Sequence, residues 1–248
     1  MIDLHCHILP GIDDGPSDIS ESIEMARIAA ADGIKTIVAA PHIYHPGLPE
    51  AGGKADLSEV IDEKVDQLNR CLISDKIPVG ILPGGEVSSF LPPDSCQRFT
   101  INHTSYLIVE FPHSHLPVNA REIIFNMTVS ELRPIISHPE RNPSVVENPE
   151  KLHALIQSGA LVQITAGSLT GEFGRDAQAC ALHLLRQRMV SFVVSDGHSV
   201  NGRPPILSEA FKTVKKLFGK DMATALFVNN PAAVLEGRTL SEEGKGKS

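Results

Sequence analysis

The stretch Met1-Ile2-Asp3-Leu4-His5-Cys6-His7 shows the pattern that the rest of the chain repeats: a short apolar run followed at once by metal-ligating side chains. Ile2 to Leu4 reads as a buried strand. Alternate residues of an extended segment share a face, so the H-x-H that follows turns His5 and His7 one way and Cys6 the other. Working outward, similar runs recur at Lys35 to Ala39, Val79 to Leu82, Tyr106 to Val109, Pro134 to Ile136, Leu161 to Ile164 and Phe192 to Val194. Each is rich in Val, Ile or Leu, as buried parallel strands are. His42, Glu86, Glu110 and His138 follow the second to fifth runs, and Asp196 with His198 follows the last. The run ending at Thr165 has no obvious ligand after it.

Between these runs lie segments of helical period. Ser17 to Asp32 places Ile19, Ile23, Ala26 and Ala30 on one face and stops before Gly33, a residue suited to the position just past a helix. Leu57 to Cys71, Ala120 to Ser130, Pro149 to Ser158, Ala177 to Arg188 and Ile206 to Phe218 follow the same logic. About seven strand-helix units in alternation predict an α/β fold around a mostly parallel sheet. In α/β barrels the C-terminal ends of the strands converge on one face, where ligands distant in sequence would meet. A chain of 248 residues can bury one sizeable core, so a single domain over residues 1–240 is expected, with 241–248 fraying.

The 22 Lys and Arg against 30 Asp and Glu give a formal charge of −8, and no basic stripe marks a nucleic-acid binder. With neither a signal-like start nor a long apolar span, the expectation is a cytoplasmic protein without membrane insertion. Four scattered cysteines form no C-x-x-C pair and read as reduced thiols.

Imidazole and carboxylate ligands without cysteine suit Mn, Fe or Zn better than an Mg-only oxygen cage. The ligands are too many for one ion. Two or three ions sharing a carboxylate would accommodate them, and such a cluster generates hydroxide at neutral pH and clamps phosphoryl oxygens. The pattern therefore predicts a metal-dependent hydrolase.

The ordered motifs His5-x-His7, Asp13-Asp14-Gly15-Pro16, Pro41-His42, Gly85-Glu86, Glu110-Phe111-Pro112, His138-Pro139-Glu140-Arg141, Gln163 to Ser168 and Ser195-Asp196-x-His198 resemble the bacterial PHP-superfamily protein-tyrosine phosphatases of the CpsB/CapC type. The similarity runs from Met1 to about Pro231. It implies a distorted (β/α)7 barrel of the PHP type, TIM-barrel-like, with three ions, usually Mn2+, at the C-terminal ends of the strands. The first ion would be held by His5, His7, Glu86 and Asp196, the second by Glu86, Glu110 and His138, and the third by Asp14, His42 and His198. Glu86 is then the bridge, while Asp62, Glu63 and Asp66 read as helix-surface carboxylates. Arg141 and Arg203 match arginines that the family uses on the substrate phosphate. The implied reaction is attack of a metal-bridging hydroxide on phosphotyrosine, with a bacterial tyrosine autokinase of capsule or exopolysaccharide synthesis as substrate. A metabolite phosphatase, for instance of histidinol phosphate, and a non-catalytic metal-binding regulator are the alternatives.

A cysteine phosphatase needs C-x5-R in a phosphate-cradling loop. Cys180 with Arg186 matches the spacing, but the intervening Ala-Leu-His-Leu-Leu is helix-forming and has no Gly. His113 and His115 form a second H-x-H in a Pro-bracketed loop, where contact with substrate is the functional reading and a plain loop the bland one. His45 could line the pocket mouth, His153 and His183 read as helical or surface residues, and His103 has no argued role. Gly84 and Gly85 are expected to allow a tight turn or close backbone approach.

Overall fold

The computed structural model describes residues 1–44 and 56–240. His45 and the expected frayed tail at 241–248 lie outside them. Nine parallel strands are present among the described residues: β1 (Ile2–Cys6), β2 (Thr36–Ala39), β3 (His42–Ile43), β4 (Gly80–Leu82), β5 (Glu86–Ser88), β6 (Tyr106–Glu110), β7 (Arg133–Ile136), β8 (Leu161–Thr165) and β9 (Phe192–Val194). They pair in the orders β1-β2-β4 and β3-β5-β6-β7-β8-β9. The sheet curls, because Cys6 also bridges to Gly197 beyond β9 and the His7 N–H donates to the Gly197 carbonyl at 2.8 Å.

The expected second and third strands, β2 and β4, are each followed by a further short strand, β3 and β5. Pro41, without an N–H, interrupts the ladder between β2 and β3, and Pro83-Gly84-Gly85 interrupts it between β4 and β5. A Cβ on Gly84 would lie 2.8 Å from Val38 Cγ1 and one on Gly85 2.8 Å from Ile43 Cγ1, so only glycine lets the strands approach here. The break sets His42 and Glu86 opposite one another in register.

Helices cover the outside of the sheet. Ile19–Asp32 starts at the Asp18 cap, which accepts from the N–H groups of Ser20 and Glu21, and ends at Gly33 with φ of 89°. Leu57–Ser74, Ala120–Val129, Lys151–Gln157, Gly174–Arg186 and Ser208–Phe218 occupy the other expected positions, with ends shifted by a few residues. Their apolar faces meet the strands in one large cluster around Ile37, Ile43, Val109, Ile136 and Ile164. A second cluster around Leu4, Val38, Ile108, Ile135 and Val194 is made largely of the alternate strand residues. Both faces of the sheet are thus largely apolar, and most of the candidate ligands stand at or just past strand ends, while Asp3 and His5 in β1 and Gln163 in β8 are buried polar residues within strands. No described helix is long and apolar enough to cross a membrane.

Candidate metal centre

His5 lies within β1, His42 and Glu86 begin β3 and β5, Glu110 ends β6, and His138 and Asp196 stand two residues past β7 and β9. His138 has φ of 34° and Asp196 of 53°, the left-handed region. Such backbone costs about 1–3 kcal/mol per non-glycine residue and gathers at functional sites. Here it belongs to two candidate ligands, buried to 6% and 2% exposure.

Glu86 occupies the middle. Its Oε2 is 3.4, 3.6 and 3.1 Å from His5 Nε2, His7 Nε2 and His42 Nδ1, and its Oε1 is 3.2 Å from His138 Nε2. Glu110 Oε1 is 3.4 Å from His138 Nε2. Asp196 Oδ1 faces His5 and His7 at 3.7 and 3.6 Å. Asp14 Oδ1 lies 3.7 Å from His42 Nε2 and 3.5 Å from His198 Nε2. All the expected ligands therefore converge, and Asp62 stays on a helix surface 3.9 Å from His103.

The donor set fits divalent ions. His5 Nε2 and His7 Nε2 are 3.0 Å apart, and two nitrogens bound to one ion at about 2.1 Å and a right angle would stand about 3 Å apart. Neither oxygen of Glu86 has a directed hydrogen bond although the residue is buried. A buried carboxylate in that state needs cationic neighbours. Donors with only N and O atoms suit Mn, Fe or Zn.

The electrostatics agree. Burial pushes the Glu86 carboxyl up, but His5, His138 and His42 outweigh it and hold it well below the usual carboxylate range. Burial and the Glu86 charge likewise push Glu110 up, yet His113 and His138 bring it to about 2. Burial and Arg141 lower His138, and Glu110 and Glu86 overcome them to raise it to about 9. The carboxylates thus draw protons onto His7, His42 and His138, whereas burial and the neighbouring His7 lower His198 to about 3, and a divalent cation would compete for the same lone pairs.

Outer partners orient the ring nitrogens. Asp13 Oδ2 is 2.6 Å from His7 Nδ1 and accepts from the His42 N–H at 3.0 Å, while its Oδ1 accepts from the Gly15 N–H at 3.0 Å. This leaves His7 Nε2 facing Glu86. The Gln163 amide nitrogen is 2.5 Å from His5 Nδ1, and its oxygen has no partner. Turning the amide over would let that oxygen accept the Nδ1 proton and leave Nε2 as a lone-pair donor. The strand expected to give no ligand thus contributes a positioning group.

Arg141 Nη1 lies 2.6 Å from Asp196 Oδ2, and Arg203 Nη2 2.5 Å from the same oxygen. Both guanidinium groups stand over the Phe173 ring, at 4.6 and 5.6 Å. They are ion-paired, and the carboxylate that pairs them is a candidate ligand.

Asp13, Gln163 and Phe173 escaped sequence reasoning as site residues. A Gln inside the apolar run Leu161 to Ile164 was a usable signal, and so was the acidic neighbour of Asp14. His113, left open between a substrate contact and a plain loop residue, sits against Glu110 and His138. His115 remains exposed beside Ser114, and His153 pairs with Glu150 on a helix surface.

Residues 1–236 match the model of the family described as capsular polysaccharide synthesis, CpsB/CapC. The chain belongs to this family. It is similar to the tyrosine-protein phosphatase YwqE of Bacillus subtilis, 39% identical over 97% of this chain and 93% of the relative. To the tyrosine-protein phosphatase CpsB of Streptococcus agalactiae it is 27% identical, over 95% of this chain and 98% of the relative. A solved structure, from work on YwqE of Bacillus subtilis and CpsB of Streptococcus pneumoniae as metal-dependent tyrosine phosphatases, matches with a TM-score of 0.88 at 38% identity. That match covers 97% of this chain and 96% of the other. A lactonase from Listeria monocytogenes, 13% identical with a TM-score of 0.58, shares the fold alone.

Proposed function

We propose that this chain is a metal-dependent protein-tyrosine phosphatase, its site formed by one domain over residues 1–240 folded as a distorted (β/α)7 barrel. The observation that carries the reading is the convergence of imidazoles and carboxylates on Glu86, with two arginines gathered at Asp196 on its edge. His5, His7, Glu86 and Asp196 would hold one ion, Glu86, Glu110 and His138 a second, and Asp14, His42 and His198 a third. Mn2+ is the ion we propose, with Fe or Zn as substitutes. Bound there, the ions would supply a water of lowered pKa and positive charge for the phosphoryl oxygens.

The chain's own groups complete the chemistry. Arg141 and Arg203 each keep N–H donors beyond those on Asp196, and guanidinium forks suit phosphate oxygens. Asp196 and the Phe173 ring hold both planes, so the charge is in place before substrate arrives. Tyrosine leaves as a phenolate of reference pKa about 10, so the leaving group needs less help from a general acid than an alkoxide would. The reading extends to a cytoplasmic location for this chain and to a bacterial tyrosine autokinase of capsule or exopolysaccharide synthesis as the phosphoprotein substrate, in keeping with the family's description.

The test is hydrolysis of a phosphotyrosine peptide and of histidinol phosphate by chelator-stripped protein, before and after Mn2+ is added, with vanadate as inhibitor control. Mn2+-restored turnover favouring the peptide is expected. Preference for histidinol phosphate would move the protein to metabolism, and inactivity on both would refute the phosphatase reading.

A further inference from the structure

We propose that His113 is a further ligand of this centre, joining Glu110 and His138 around one ion. The inference rests on the metal-centre reading above and adds a residue to it.

His113 follows Pro112 in the loop after β6. Its Nε2 lies 3.1 Å from Glu110 Oε1, the oxygen that is also 3.4 Å from His138 Nε2. The His113 and His138 rings stack at 5.4 Å between centroids with 12° between planes. One donor atom from each of Glu110, His113 and His138 lies within 4.8 Å of the other two, a spread that one ion can span. The three donors are of the N and O kind that suits the rest of the centre.

The position is built into the fold. The Asn142 side-chain N–H donates to the Pro112 carbonyl at 2.9 Å, tying the residue before His113 to the segment after His138. No core packing explains the ring, since the His113 side chain is 57% exposed while those of Glu110 and His138 are 4% and 7% exposed. Glu110 and His138 therefore approach an ion from within, and His113 approaches from the solvent side. The competing explanation is an ordinary ion pair between residues three apart, which would be indifferent to metal.

Binding of Mn2+ to chelator-stripped wild type and His113→Ala, followed by calorimetry and by metal content after gel filtration, tests the proposal without using activity. The variant alters an exposed side chain and should fold. Expected is a loss of about tenfold or more in affinity at one class of site, the other sites unchanged. Co2+ provides a second readout: its visible spectrum should change in the variant and return when free imidazole fills the open position. An unchanged Mn2+ isotherm together with a wild-type Co2+ spectrum overturns the role of His113 while leaving the metal centre standing. Wild-type protein that takes up neither ion overturns both.

Discussion

Asp13 offers the sharpest check on how the centre is organised, because it binds no ion in the arrangement proposed and yet supports three groups around it. Its carboxylate accepts from Gly15 N–H and His42 N–H and lies 2.6 Å from His7 Nδ1. Burial pushes this carboxyl up, but His7 and the two N–H groups outweigh burial and hold it below the usual range. Asp13→Ala strands all three donors. Each buried donor without a partner costs about 1–3 kcal/mol, and two of these are on half-buried residues, so the sum is about 2–4 kcal/mol. That corresponds to a fall of roughly 5–15 °C in melting temperature for a chain of this size. With His7 no longer held in one tautomer, Mn2+ affinity should drop by about 10–100-fold. Asp13→Asn should fall between, because its single oxygen can serve His7 and His42 while its NH2 meets the Gly15 N–H. Thermal melts and Mn2+ calorimetry on the three proteins read both quantities. An Ala variant that binds Mn2+ within twofold of wild type would refute the reasoning, as would an Asn variant worse than Ala.

Gly15→Ala places a Cβ 2.4 Å from the His7 carbonyl oxygen, a backbone atom that cannot step aside cheaply; a loss of about 1–3 kcal/mol with reduced Mn2+ content is expected from melts and metal analysis. Arg141→Ala should lower kcat/KM for a phosphotyrosine peptide by about 10²–10³-fold, and Arg141→Lys should not restore it; unchanged steady-state kinetics would remove Arg141 from the reaction. Cys180→Ser should retain full phosphatase activity, and turnover lost with metal content intact would revive a cysteine mechanism. Burial and then Glu140 push the Cys180 thiol up to about 12, and burial pushes Cys96 to about 11, so partly exposed Cys71 should be alkylated first in mass-spectrometric mapping. The same shifts fix a sign: folding favours the neutral thiols, so their contribution is intact below the unfolded pKa of about 8.5 and is lost as pH rises toward 12. Urea midpoints should therefore fall between pH 8 and pH 10.5, and less so in Cys180→Ala.

Candidate ligands are legible in the sequence because strand ends are punctuated: an apolar run stops, and a His, Asp or Glu follows. That local rule holds at β1, β6, β7 and β9, where the chain leaves the sheet directly. It was less informative at Pro41 and at Pro83 to Gly85, where β2 and β4 break and resume as β3 and β5. There the candidate ligands His42 and Glu86 open new strands, and their pairing in register depends on close approach of glycine backbone to Val38 and Ile43, a tertiary fact. The supporting groups were harder still. Gln163 reaches His5 across 158 positions, and Phe173 meets two arginines from other segments. Such contacts follow from how the sheet curls and leave no spacing in the sequence. His113 shows a further limit, since its ring is recruited by a carboxylate and a neighbouring imidazole and not by any periodicity.

Asp196 joins the two halves of the proposed chemistry through a single carboxylate. Its Oδ1 faces His5 and His7, and its Oδ2 holds Arg141 and Arg203. Burial would push this carboxyl up, but His5, His138 and the two arginines hold it below the usual carboxylate range, so it stays charged toward both sides. The left-handed backbone at Asp196 is one source of that reach. A further brace comes from Asp3, whose carboxylate accepts from the Ser195 hydroxyl and N–H while the Asp196 N–H donates to the His5 carbonyl. The strain at one residue is therefore held by hydrogen bonds between the first strand and the segment leaving the last. The curl that brings these two strands together is what sets the candidate ion ligands His5 and His7 and the two arginines on opposite oxygens of one side chain.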